Sequence, residues 1–473
     1  MRRIETGVRL STSLNAVAGQ YQSLTIGVIF TISAAFVFSA VGLRFAVFTL
    51  LLLGMAASFN RAWMLAAVVT LVPFVPLLRR IIGGVSGADT DPLSVVLLAA
   101  IAVVLVASMR QLVEIRQGVR TYNIAVLLLL VSIAVSLFAG RGASLNGIFA
   151  AAAVIVCTCL TAAVAAGAVP DVWPFVSRWL PSFGVLSGAY GLFQFYLLPS
   201  WDKVWMLNSG LRSIGQAIPM QVRIFGPSEA PGPYAFFLGL CVTIALTKAL
   251  TIRGRGRVTS TVIAAFLLFP MLVSGVRTAI LGVVIALCAI LILRTRGAAR
   301  LLPIVFLAGL LVALNSVLGR LSSTSTLFAG TRYGSFNAAT DTSFQQRLEL
   351  LSLLKSPQQF LAGRLTDDRY DNVVVDLLVN LGILAAIGLA LSLVVVAVAA
   401  VSNLRSGNHE VAAASALFAL VTAASGNIYL SGFGILAAIA FGSTLRVWRS
   451  RKQTIAGTHP GQGVREQRTH VQH

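Results

Sequence analysis

Charge is scarce in this sequence. Only 11% of its 473 residues are Asp, Glu, Lys or Arg, where a soluble domain carries roughly a quarter, so a soluble globular class is excluded. Acid is scarcer still: 15 acidic residues stand against 36 basic ones, leaving a net charge of +21. That surplus does not point to nucleic acid. Most of the Lys and Arg lies in short breaks between apolar runs and at the chain ends, as membrane topology requires, with some attraction to anionic headgroups. Cysteine is rare too. Cys157, Cys159, Cys241 and Cys288 all fall inside apolar runs and read as small packing residues, because a disulfide or metal site needs convergent thiols. Internal repeats and a soluble domain are lacking. The basic start Met1-Arg2-Arg3 precedes about 20 fairly polar residues, with no small-residue cleavage site after the first apolar run, so no cleavable signal peptide is expected.

What is present is hydrophobic sequence, 57% of the chain. Apolar runs near spanning length recur at about 23–42, 44–59, 62–78, 93–109, 122–139, 146–169, 182–198, 233–252, 258–273, 277–293, 301–319 and 373–401. A last stretch, 410–445, is long enough for two short spans broken at Gly426-Asn427. The pattern predicts an all-α, polytopic transmembrane helical bundle of 12 to 14 spans. The membrane domain covers 1–445, and a polar tail over 446–473 is expected to be disordered and cytoplasmic.

Orientation follows from Lys and Arg in the short loops. The basic segments are the N-terminus, Arg110/Arg116/Arg120, Arg253/Arg255/Arg257, Arg294/Arg296/Arg300 and the run from Arg446 to Lys452. Even numbers of spans separate them, so all five fit the cytoplasm, with both termini inside. Arg79-Arg80 falls on the opposite side and is the one exception. Two long loops, about 199–233 and 320–372, then face outward together with Arg277. The four histidines, His409, His459, His470 and His473, are all predicted cytoplasmic.

The outer loops collect arginine. The first holds Arg212 and Arg223, has Trp201 and Trp205 suited to the headgroup interface, and ends Arg223-Ile-Phe-Gly226-Pro227-Ser-Glu229-Ala-Pro231-Gly-Pro233. Its prolines and glycines preclude a regular helix until the span beginning at Tyr234, whose N-terminus offers N–H groups to an anion beside Arg223. The alternative is an ordinary Pro-rich turn with Arg223 bonding a headgroup. Arg277, in Ser274-Gly-Val-Arg277, sits in a turn with almost no connecting loop. It either points into a protein cavity or snorkels to the interface. In the second loop, Ser343-Phe-Gln-Gln346 fits a capping box for a short surface helix through Lys355, with Arg347 flanking its apolar stripe. Arg347 reads as either substrate-facing or simply exposed. Asn372, Asp376 and Asn380 share one face of the following span. A carboxylate one turn inside a span needs a cavity or a cationic partner, and Arg277 and Arg223 are available; a purely structural buried pair is the other reading.

This ordered set resembles the bacterial O-antigen polymerase and O-antigen ligase superfamily over roughly residues 200 to 400. The carrying motifs are Arg223-x-x-Gly226 before a span, the Ser274 to Arg277 turn, and a large outer loop with Arg347. Asp371-Asn372 leading into Leu377 to Ile383 completes them. Relatives usually have Ser-Arg where this chain has Ser-x-x-Arg. The resemblance implies a bundle with a groove open to the outer leaflet, capped by the large loop. It also implies glycosyl transfer from undecaprenyl diphosphate at the bacterial plasma membrane, without metal, nucleotide sugar or other cofactor. Arg223 and Arg277 would stabilise the departing diphosphate, and Arg347, Gly226, Asn372, Asp376 and Arg212 would bind substrate. Ligases of the superfamily typically present a histidine where the large loop meets the next span. This chain has none there, which favours a polymerase of lipid-linked repeat units, with Asp371 as base or acceptor-orienting group. A flippase and a chain-length regulator are the implied protein partners. A ligase acting on lipid A core or protein is the alternative, and a transporter of the same lipid-linked sugars is the second. Transport is disfavoured because the predicted spans are nearly free of charge at mid-depth and show no repeat.

Overall fold

The computed structural model describes residues 60–83, 93, 95–114, 120–138, 144–209, 214–294, 373–407, 409–426 and 428–457. Among them there is no β-strand, and the regular structure is helical apart from one isolated bridge between Gly215 and Val222. The predicted spans 23–42, 44–59 and 301–319 lie outside the described residues, as do the predicted loop over 320–372, Arg212, Arg347, Asp371 and Asn372.

The chain enters as α1 (Arg61–Leu71), which Asn60 caps through its side chain, and α2 (Val75–Gly83). Sequence predicts one span over 62–78; the two helices instead meet at a 60° bend. Pro73 lies at the break and Pro76 in the first turn of α2. Proline lacks the N–H that would continue the ladder, yet it is accommodated in a first turn. Next come α3 (Val96–Glu114), α4 (Arg120–Phe138) and α5 (Leu145–Ala166). The Ser144 side chain accepts from the Gly147 N–H to cap α5. Then follow α6 (Trp173–Leu197), α7 (Ser200–Asn208), α8 (Pro231–Thr251), α9 (Arg255–Val273) and α10 (Arg277–Arg294).

The predicted span 373–401 is also divided. It becomes α11 (Val373–Leu381) and α12 (Ile383–Ser406), separated at Gly382. The final stretch breaks near Gly426, as its sequence predicts, into α13 (Glu410–Ser425) and α14 (Phe433–Gly457), with a 3-10 turn over Ile428–Leu430 between them. The helical trace of α14 runs to Gly457, past the expected start of a disordered tail at 446. Its last turns tie to the bundle through Arg449, which donates to the Ala166 carbonyl at the end of α5 at 3.3 Å.

Among the described residues, α5, α8, α9 and α12 are each long and apolar enough to cross a membrane, and so is the bent α1–α2 pair taken as one broken span. Four shorter apolar helices accompany them, within α3, α4, α10 and α13. In α8, 78% of the most apolar stretch is buried, against 22% in α9, so among the described helices α8 is the central post and α9 lies at the rim. The outward side chains of α9 include Val258, Val262 and Phe269. Apolar groups facing outward in series suit a lipid surround rather than water. Inside, Phe418 of α13 seats between α8 and α10: a Cβ added at Gly239 or Gly282 would come within 2.5 Å or 2.9 Å of its ring.

Side-chain ties define two ends of the bundle. At one, Arg61 donates to Ser108 Oγ (3.1 Å) and to the Ala168 carbonyl (3.3 Å), while Lys248 at the close of α8 reaches the Ser177 carbonyl. At the other, α2, the C-terminal half of α6, α7, the segment 214–230 and the α9–α10 turn converge. The candidate site lies there.

Candidate functional site

The segment between α7 and α8 is short of regular structure because Pro227, Pro231 and Gly226 interrupt it. Two local bonds give it shape. The Arg223 N–H donates to the Ile214 carbonyl at 2.7 Å and the Gln216 N–H to the Gln221 carbonyl at 3.3 Å, on either side of the Gly215–Val222 bridge. The fold this makes turns the Arg223 side chain inward, leaving the residue only 4% exposed.

Arg223 Nε donates to the carbonyl oxygen of Ser274 at 2.9 Å. Ser274 opens the tight turn between α9 and α10, and Arg277 is the first residue of α10. The bond depends on the intervening glycine. Gly275 has φ +69, and a Cβ there would stand 3.3 Å from Arg223 Nε, so the turn and the close approach both favour glycine. Two motifs about fifty residues apart in sequence thus form one unit: a buried arginine docked on the turn that presents a half-buried one.

The loop is clamped from its other side by a buried polar network. Arg80 of α2 and Asp202 of α7 both have fully buried side chains and meet at 2.9 Å between Nη1 and Oδ1. Gln194 Nε2 and the Tyr190 hydroxyl donate to Asp202 Oδ2 at 2.7 and 2.9 Å, and Trp201 Nε1 donates to the Tyr190 hydroxyl at 2.8 Å. Gln194 spends its other end on the loop, its Oε1 accepting from the Phe225 and Gly226 N–H groups at 3.0 and 2.9 Å. Arg80 Nη2 donates to the Gly226 carbonyl at 2.6 Å, and its guanidinium lies 4.7 Å from the centre of the Phe225 ring. Gly226 takes φ +50, and a Cβ there would fall 2.2 Å from the Tyr234 ring. Burial pushes the Asp202 carboxyl up, against the pull of Arg80, Gln194 and Tyr190. Arg79 pairs with Glu229, whose carbonyl also accepts from Trp205 Nε1 at 3.1 Å.

This clamp accounts for the exception in the charge pattern. Arg79 and Arg80 stand at the same end as the first loop because that loop and α7 supply a carboxylate to each. Sequence reasoning read the pair as a topology violation and missed its role. The signal was present: two acids, Asp202 and Glu229, in the very loop the misplaced pair would face. Gln194, a polar residue in an apolar helix, was the second clue. Beside Arg79 and Glu229 lies a cavity of about 70 Å³, lined also by Val72, Ser228, Pro233 and Phe433. It sits where the α1–α2 break, the start of α8 and the break before α14 meet, and has room for a few water molecules.

Of the residues singled out from sequence, Arg223, Gly226 and Arg277 come together at this end. Asp376 is buried in the first turn of α11 and accepts from Asn380 Nδ2 at 3.0 Å; the shared face of these two residues is observed. Asn372, Asp371, Arg347 and Arg212 lie outside the described residues. Among the described residues, no three His, Cys, Asp or Glu side chains converge to hold a metal ion. Neither a protein-family model nor a curated protein sequence matches this chain.

Proposed function

We propose that the chain is a membrane glycosyltransferase that polymerises undecaprenyl-diphosphate-linked oligosaccharide repeat units into surface polysaccharide at the outer face of the bacterial plasma membrane. The observation that carries the reading is the docking of Arg223 on the Ser274–Arg277 turn. In this transfer the acceptor hydroxyl attacks the anomeric carbon, the bond to the diphosphate breaks, and the diphosphate leaves with the bonding electrons. Negative charge therefore grows on phosphate oxygens in the transition state. Guanidinium groups fixed in advance stabilise that charge without reorganising, and their forked donors match phosphate oxygens.

The two arginines take different parts. Arg277 is half-buried at a helix start, where its guanidinium and the free N–H groups of α10 meet an anion together. Arg223 uses Nε to hold the turn that presents Arg277. The clamp around Gly226 keeps the loop in register with the turn. Asp371 takes the acceptor proton or orients the acceptor, and Arg347 positions substrate from the large loop; the flippase and chain-length regulator of the same pathway are the protein partners.

One observation favours a second reading, transport of the same lipid-linked sugars. Two interrupted helix pairs, α1–α2 and α11–α12, belong to the bundle, and interrupted helices line substrate sites in many transporters. Purified protein incubated with synthetic lipid-linked repeat units decides between the readings. A ladder of products supports polymerisation. Movement of the lipid across vesicles with no ladder assigns transport, and a single transfer onto added lipid A core assigns ligation.

A further inference from the structure

The opposite end of the bundle carries a second basic feature, independent of the site above. Helices α12 and α14 pack side by side, and between their ends runs a groove of about 450 Å³ lined by Ala397, Val398, Val401, Ser402, Arg405 and Arg451. Its charge is of one sign. Across Ile383–Ser406 and Phe433–Gly457 there are five basic residues, Arg405, Arg446, Arg449, Arg451 and Lys452, and no acidic one. Arg405 and Arg451 are both exposed, and among the described residues no carboxylate pairs with either. They come from different helices, and Arg451 is held across the groove by donating to the Ser402 carbonyl at 3.3 Å.

The groove continues into an apolar track. Ile387, Leu391, Val394 and Val398 are exposed, and with Val401 and Arg405 they recur every three or four residues, so they form one stripe along α12 that ends at the arginine pair. A ligand matching this surface has an anionic head no larger than the groove and a long apolar tail leaving in one direction. Free phosphate would match the head alone. Lys452 stacks on Trp448 with its ammonium 3.8 Å from the ring, and it does not line the groove.

We infer that this groove is a binding site for one anionic glycerophospholipid, its phosphate between Arg405 and Arg451 and an acyl chain along the Val398–Ile387 stripe. The charge-assisted bonds fix the head, and the stripe excludes water along the tail.

Native mass spectrometry of the full chain in detergent tests this, with phosphatidylglycerol and phosphatidylcholine of the same acyl chains added at equal concentration. Wild type retains phosphatidylglycerol several-fold more than phosphatidylcholine. Arg405→Gln and Arg451→Gln each bring that ratio close to one, and either variant alone suffices should the other fail to give monodisperse protein. Lys452→Gln removes the same charge outside the groove and leaves the ratio unchanged. Equal retention of the two lipids by wild type overturns the inference. So does a loss in Lys452→Gln as large as in the groove variants, which would mark bulk charge. Displacement of phosphatidylglycerol by equimolar inorganic phosphate overturns it as well, because the site would then read only the anion.

Discussion

Two pairs of arginines meet at one end of this bundle and are held in opposite ways. Arg79 and Arg80 face carboxylates, Glu229 and Asp202. Arg223 is met through Nε by a backbone carbonyl, and Arg277 stands half-buried on the turn that carbonyl belongs to. A carboxylate cancels the charge it touches. A carbonyl fixes the geometry of a guanidinium and leaves that bond without a formal negative partner. The first arrangement is what a structural cation needs in a low-dielectric surround, since the charge is compensated where it is desolvated. The second fixes where a guanidinium stands through a backbone dipole, which is the positioning a ligand-binding cation needs. Arginine count alone does not separate the two; the group that holds each one does.

The sharpest way to break this comparison is to remove one partner of the compensated pair. Arg80→Ala leaves Asp202 buried and unpaired, and should cost about 3–5 kcal/mol of stability in denaturant unfolding in detergent. The double variant Arg80→Met with Asp202→Leu should recover much of that loss. If the double variant is as unstable as the single, the pair is not the source of the penalty. Next in size, Arg277→Ala should lower the polymerisation rate about 10²-fold or more while leaving the unfolding midpoint near wild type. A variant that keeps making long polymer would place Arg277 with the structural cations. Gly226→Ala should then cost about 1–3 kcal/mol, from a left-handed backbone and the clash with Tyr234. A smaller effect from this substitution would mean the loop relaxes without the clamp. Smallest, Tyr190→Phe removes one donor to Asp202 and should cost about 1 kcal/mol in the same unfolding measurement.

Much of the helical architecture was legible in the sequence because apolar runs report spans directly. The runs reported the break near Gly426 but not two others. The stretch 62–78 is apolar throughout, yet Pro73 splits it, and 373–401 contains a division at Gly382 that its hydropathy conceals. Arg223, Gly226 and Arg277 were legible as a motif series, and their convergence follows from the Arg223–Ser274 bond, which no spacing rule encodes. The clamp was hidden for a different reason. Arg80, Gln194 and Asp202 come from three separate elements, and each alone looks like an anomaly in a greasy chain. Their pairing exists only in three dimensions, where each offsets part of the cost of burying the others.

The bend between α1 and α2 has an effect on its surroundings as well as on the chain. A helix axis that turns by 60° spends part of its length sideways, so that flank offers less apolar height than its straight neighbours. In a bilayer the adjoining leaflet must dip or thin to match it. Because α2 is fastened through Arg80 to the loop bearing Arg223, such a dip would fall beside the arginines and bring lipid phosphates nearer to the guanidinium groups.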